Sequence, residues 1–123
     1  MAINDLVYLL EQDNEIKETI RGLCDEKSLH LKVFHQHNEL LSAIKNLTPG
    51  CIVVASEEQG DRVLELVRHI SENAKGVPVV VLGTHNDLNT AVAVIKLGAV
   101  DYIEKPVISG RLAEHFNQIA LQG

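Results

Sequence analysis

The ten residues GAVDYIEKPV, Gly98 to Val107, decide how the rest of the chain is read. Gly98 is a helix stop, since glycine alone takes the left-handed turn at no steric cost. The residues Asp101, Tyr102 and Ile103 then form a short strand, and Lys105, fixed in extended backbone by Pro106, stands at its very end, on a rim. Rims of that kind hold ligands, so the question is what Lys105 is for.

Working outward, the same helix-to-strand exchange recurs along the chain. LVYLL (6–10) is a buried strand, and Ile16, Ile20 and Leu23 follow at helical spacing. LHLKVF (29–34) alternates and ELLSAI (39–44) returns to helical spacing. CIVVA (51–55) is a buried run introduced by a turn at TPG, and Val63, Leu66, Val67 and Ile70 make one helical stripe. PVVVL (78–82) is a fourth strand, LNTAVAVIKLG (88–98) a helix, and RLAEHFNQIAL (111–121) a closing helix.

Five strands each followed by a helix predict an α/β domain, a five-stranded parallel sheet with helices on both faces. Right-handed crossovers and apolar central strands favour the flavodoxin-like order 2-1-3-4-5, with ligands held beyond the carboxyl ends of the strands. That edge carries Glu11, Gln12 and Asp13 after strand 1, Ala55 and Ser56 after strand 3, Gly83 and Thr84 after strand 4, and Lys105 after strand 5.

The 123 residues make one domain, and 46% hydrophobic with 23% charged residues is the composition of a soluble globular protein. The net charge of −6, with no block of Lys or Arg, excludes direct nucleic-acid binding, and VPVVVL is far too short to span a bilayer. The first fourteen residues lack a signal-peptide pattern, so a cytoplasmic location is expected. Cys24 and Cys51 fit no C-x-x-C spacing and read as buried free thiols. HQH, His35 to His37, with His30 nearby, has no acid or cysteine at ligand spacing and reads as exposed loop. Asn46-Leu47-Thr48 is a glycosylation string of no consequence in the cytoplasm. No G-x-S-x-G, P-loop or G-x-G-x-x-G is present. A flavin site is disfavoured because EQDNE (11–15) sets carboxylates where a phosphate would lie.

The order of elements, the length and GAVDYIEKP together resemble the receiver domain of bacterial response regulators, over the whole chain. TPGCIVV and AVAVIKLGAVDYIEKP are most similar to receivers of FixJ-type transcription regulators. The resemblance implies an acid pair for Mg²⁺ after strand 1, a phosphoacceptor aspartate after strand 3, a hydroxyl after strand 4 and the strand-5 lysine. Carried over, these positions are Glu11 and Gln12, Ala55, Gly83 and Lys105. Ala55 has no nucleophilic atom, Gln12 weakens the metal site, and SEEQGD (56–61) replaces the family's following loop. Asp13 is expected to cap the first helix and Ser56 to turn its hydroxyl away from the pocket, as strand alternation dictates, while Lys105 is expected within ion-pair reach of Glu11 or Asp13.

The expectation is a degenerate receiver, not an enzyme, with no metal or other cofactor and no catalytic residue, the N-terminal part of a longer regulator. It feeds a DNA-binding output outside these residues; the alternative is a docking domain of a signalling assembly with no DNA output. The resemblance places a protein partner or homodimer on helix 4, strand 5 and helix 5, at Lys96, Asp101, Tyr102, Glu104 and Arg111, with Asp101 of one chain pairing Arg111 of the other. It also makes Tyr102 the aromatic that in family members moves between buried and exposed positions.

Overall fold

The computed structural model describes residues 2–56, 61–84 and 87–122. Ten elements alternate in it: β1 (Ala2–Leu10), α1 (Asn14–Glu26), β2 (His30–Phe34), α2 (His37–Asn46), β3 (Thr48–Ala55), α3 (Asp61–Asn73), β4 (Val79–Gly83), α4 (Leu88–Lys96), β5 (Asp101–Glu104) and α5 (Ser109–Gln122). The strands form one parallel sheet in the order β2-β1-β3-β4-β5, as the sequence predicts.

Two-sided burial explains why the central strands read as unbroken apolar runs. Alternate residues of β1 go to opposite sides: Tyr8 and Leu10 pack with Leu40 and Ile44 of α2, Val63, Leu66, Val67 and Ile70 of α3 and Val94 of α4. Val7 and Leu9 pack with Ile16 and Ile20 of α1 and Leu112, Phe116 and Ile119 of α5. Strands buried on both faces have no polar side to show, so no alternation survives in the sequence. Tyr8 is the one buried strand residue of β1 with a polar tip, and the tip is satisfied: its ring meets Phe34 edge-on at 5.1 Å, and its hydroxyl donates to the Leu47 carbonyl at 2.9 Å.

TPG is not a turn. Thr48, Pro49 and Gly50 are the first residues of β3, paired with the start of β1, where the β1–β3 register shifts between Ile3 and Val7. Proline is tolerated at the start of a strand and beside such an irregularity, because no ladder hydrogen bond is asked of its nitrogen. Gly98 ends α4 as expected: its φ is +118°, and a Cβ there would also meet Ser71 Oγ at 2.7 Å.

Phe116 is completely buried between α5 and the sheet. Phe116→Ala is expected to cost about 3–5 kcal/mol through lost burial and the cavity left behind, read as a lowered urea midpoint at unchanged slope.

Candidate functional site

The carboxyl ends of the strands enclose a cleft of about 400 Å³. Five of the six residues expected there border it: Glu11, Gln12, Asp13, Ala55 and Lys105. The sixth, Gly83, is buried behind another side chain and does not reach the cleft wall.

Glu11 is the centre of the site. Its side chain is 3% exposed, and Oε1 accepts the backbone N–H groups of Gln12 at 2.9 Å and Asp13 at 3.0 Å. The Lys105 ammonium, 23% exposed, lies 2.8 Å from Oε2. This is the ion pair expected of Lys105 with Glu11 or Asp13. The ammonium is close without hydrogen-bond alignment, so Oε2 is held by charge and lacks a hydrogen-bond partner among the described residues. Asp13 is occupied elsewhere: its Oδ1 accepts from Glu15 N at 2.9 Å and Ile16 N at 3.2 Å, the N-cap of α1. Gln12 turns its amide to the His35 carbonyl, 2.7 Å away.

These donors do not suit Mg²⁺, which needs free carboxylate oxygens in a near-octahedral shell. One carboxylate is braced by two amides and a lysine, the second caps a helix, and the third position is an amide. The lysine ammonium already occupies the flank of Glu11 that a cation would share.

Gly83 explains the position of Tyr102. β4 and β5 pair Val81 with Tyr102 and Gly83 with Glu104, so the Tyr102 ring leans along the strand over the next residue on the same face. A Cβ at Gly83 would overlap the Tyr102 hydroxyl and ring carbons. The ring thus fills space that only glycine leaves open, and the hydroxyl donates to the Thr84 carbonyl at 3.2 Å. Burial, then the charges of Asp87 and Glu104, push the Tyr102 hydroxyl above its ordinary range.

The proposed contact residues are distributed on one side of the molecule. Lys96 is exposed in the last turn of α4 and Glu104 is exposed at the end of β5. Asp101 and Arg111 pair within one chain, which corrects the expected pairing between chains. Both Arg111 Nη2 and Nε donate to the Asp101 carboxylate, the latter at 3.2 Å, and His115 Nε2 lies 2.9 Å from Oδ2. Burial alone would raise the Asp101 pKa; the hydrogen bonds from His115 and Arg111, the Arg111 charge and the Tyr102 N–H hold it below the usual carboxylate range.

Two further corrections concern the cleft rim. Ser56 is buried and borders the cleft, because β3 ends at Ala55 and strand alternation ends with it. His35 is exposed in the loop after β2, as expected, whereas His37 begins α2; both border the cleft. Register could have found them: Leu10 pairs with Phe34, which sets residue 35 beside Glu11. His115 carried no such signal, since only the packing of α5 on β5 brings it to Asp101. No group of three metal-ligating side chains occurs among the described residues. Of the SEEQGD loop, Glu57 to Gly60 lie outside the described residues.

A doubly wound parallel sheet with a cleft at the carboxyl edge, a strand-1 acid and a strand-5 lysine defines the class to which the molecule belongs. The match to the response regulator receiver domain over residues 7–117 then makes the assignment: the chain belongs to that family, the receiver domains of two-component signalling. The transcriptional regulatory protein FixJ of Bradyrhizobium diazoefficiens is 28% identical over 112 residues, 91% of this chain and 55% of that protein. Full-length FixJ from B. japonicum superposes with a TM-score of 0.80 at 26% identity, over 95% of this chain and 58% of that one. The beryllofluoride-activated NtrC4 receiver domain dimer, 24% identical, shares the fold with a TM-score of 0.83 over 96% of this chain and 98% of its own. The chain spans about half the length of full-length relatives such as FixJ and the response regulator protein TmoT of Ectopseudomonas mendocina. No described helix is long and apolar enough to cross a membrane.

Lys105→Met is expected to destabilise the fold by about 1–3 kcal/mol, because it leaves the buried Glu11 carboxylate uncompensated; urea unfolding measures it. Gly83→Thr is expected to expel the Tyr102 ring and return its pKa downward to the ordinary phenol range. Tyr8, raised by its own burial, is the internal reference in a tyrosinate absorbance titration.

Proposed function

We propose that this chain is an atypical receiver domain that regulates without aspartyl phosphorylation. In this reading Ala55 stands where the family's phosphoacceptor stands, at the end of β3 on the cleft. A methyl group cannot form an acyl phosphate, and that single feature carries the proposal. The Glu11–Lys105 ion pair and the Tyr102 ring over Gly83 support it: the lysine is satisfied without phosphate, and the ring already lies inward without a hydroxyl at position 83 to make way for it.

The chain is then no enzyme. It is the regulatory domain of a longer cytoplasmic regulator, whose output is DNA binding by a domain outside these residues, as the names of relatives such as FixJ suggest. It acts through protein contacts on the α4–β5–α5 side, where Lys96, Tyr102, Glu104 and the Asp101–Arg111 pair lie. With no modification to alter that side, the contacts are constitutive.

Intact-mass measurement after treatment with a small phosphodonor and Mg²⁺ is expected to return the unmodified mass, and beryllofluoride to leave the amide spectrum unchanged. A stoichiometric, base-labile phosphoryl adduct overturns the proposal. Ala55→Asp alone is expected to stay unphosphorylated, since Gln12 and Gly83 still lack the acid and the hydroxyl.

A further inference from the structure

Glu11 and Lys105 neutralise each other's charge and still leave hydrogen-bonding capacity unused. An ammonium carries three N–H donors. None is aligned on Glu11 Oε2, and the Lys105 side chain makes no hydrogen bond among the described residues. Both partners are held in place from behind. Glu11 Oε1 accepts two backbone amides, and the Lys105 backbone N–H donates to the Gly83 carbonyl at 2.9 Å. The lysine is the accessible member of the pair, with the buried carboxylate behind it. It is a donor positioned before any ligand arrives, and preorganised groups of this kind bind without the cost of being ordered.

An acceptor stands at the same rim. Asp13 is exposed and borders the cleft, and its helix cap uses Oδ1 alone, which leaves Oδ2 a lone-pair oxygen for a ligand N–H. Leu10 and Ala55 give the cleft apolar wall, and its volume of about 400 Å³ lies in the range of small-molecule sites.

Charge selects among ligands. Glu11 and Asp13 outnumber Lys105, so an anion is repelled. A cation has no lone pair to offer the lysine donors, and to reach Glu11 it must displace an ammonium 2.8 Å from a carboxylate that is 3% exposed. A neutral oxygen takes up the donors and leaves the ion pair whole. An amide supplies that oxygen together with an N–H for Asp13.

We propose that the cleft binds a small neutral amide, its carbonyl oxygen accepting from Lys105 Nζ, its N–H donating to Asp13 Oδ2 and its apolar body lying against Leu10 and Ala55. The proposal rests on the reading above of a cleft that takes no phosphoryl group, and names what it takes instead.

The test uses benzamide, benzoate and benzamidine, probes of one shape that differ only in the charge and the donors and acceptors of the polar group. Each is titrated into the 123-residue chain and followed in the amide spectrum. Benzamide is expected to shift Gln12, Ala55, Ser56 and Lys105 with a dissociation constant on the order of 1 mM, as suits a probe of about nine non-hydrogen atoms. Its ring protons are expected to show nuclear Overhauser effects to the Ala55 methyl. Benzoate and benzamidine are expected to bind at least about threefold more weakly, through the repulsion of one unbalanced charge even at the dielectric of water. Lys105→Met is expected to weaken benzamide by at least about fivefold. Ala55→Leu, which fills the cleft and removes no polar group, is expected to weaken it by at least about tenfold and keeps the test open where the lysine variant folds poorly. No shift at about 10 mM benzamide, benzoate or benzamidine binding as tightly as benzamide, or unchanged binding to Ala55→Leu overturns the proposal. A chain that takes a phosphoryl group from a small donor fails the underlying reading; one that takes none and gives no contact to benzamide fails this proposal alone.

Discussion

A strand with no polar face can sit only where both of its faces are covered. Val53 and Val54 of β3 and Val80 and Val81 of β4 are each fully buried, and nothing in the fold is free of that requirement. It forces helices onto both sides of the sheet, which forces right-handed crossovers, which places every strand's carboxyl end on one edge. The cleft is a product of this geometry before any polar residue is considered. Its walls are loops that leave a rigid sheet in register, so Glu11 and Lys105, which lie 94 positions apart in the chain, meet at 2.8 Å.

At that edge the polar groups largely satisfy one another. Glu11 takes two backbone amides and an ammonium, Asp13 caps a helix, and Gln12 holds the loop after β2. Such a set resembles a structural clasp between β1, α1 and β5 more than a site awaiting a charged ligand, and its worth lies in tying together strands that are not neighbours in the sheet. The Asp101–Arg111–His115 cluster does the same work at the opposite end of β5, fastening α5 to the sheet edge.

The sheet was legible because apolar runs such as LVYLL and CIVVA are forced by two-sided burial, and short strands leave few registers to choose among. The Lys105 pairing was legible because a cation at a strand end beside carboxylates has an obvious partner. TPG misled because proline and glycine signal a turn only when the strand has not yet begun, and β1 extends far enough to recruit them. Ser56 misled because alternation is a property of strands and β3 had ended one residue earlier. The inward Tyr102 ring could not be read at all, since its direction is set by an atom missing from the neighbouring strand and no pattern within β5 reports that.

The vacancy at Gly83 also imposes an order on history. While the Tyr102 ring lies over it, any larger residue at position 83 meets a filled space, so a change there must drive the ring outward or wait for position 102 to become small. Removing the ring first leaves a void and loses the bond to the Thr84 carbonyl. Each single step is unfavourable where the pair of steps is not, which makes positions 83 and 102 one evolutionary character held in two residues. The fold carries a lock there: the glycine and the tyrosine hold each other in place, because neither can be exchanged alone without an overlap or a void.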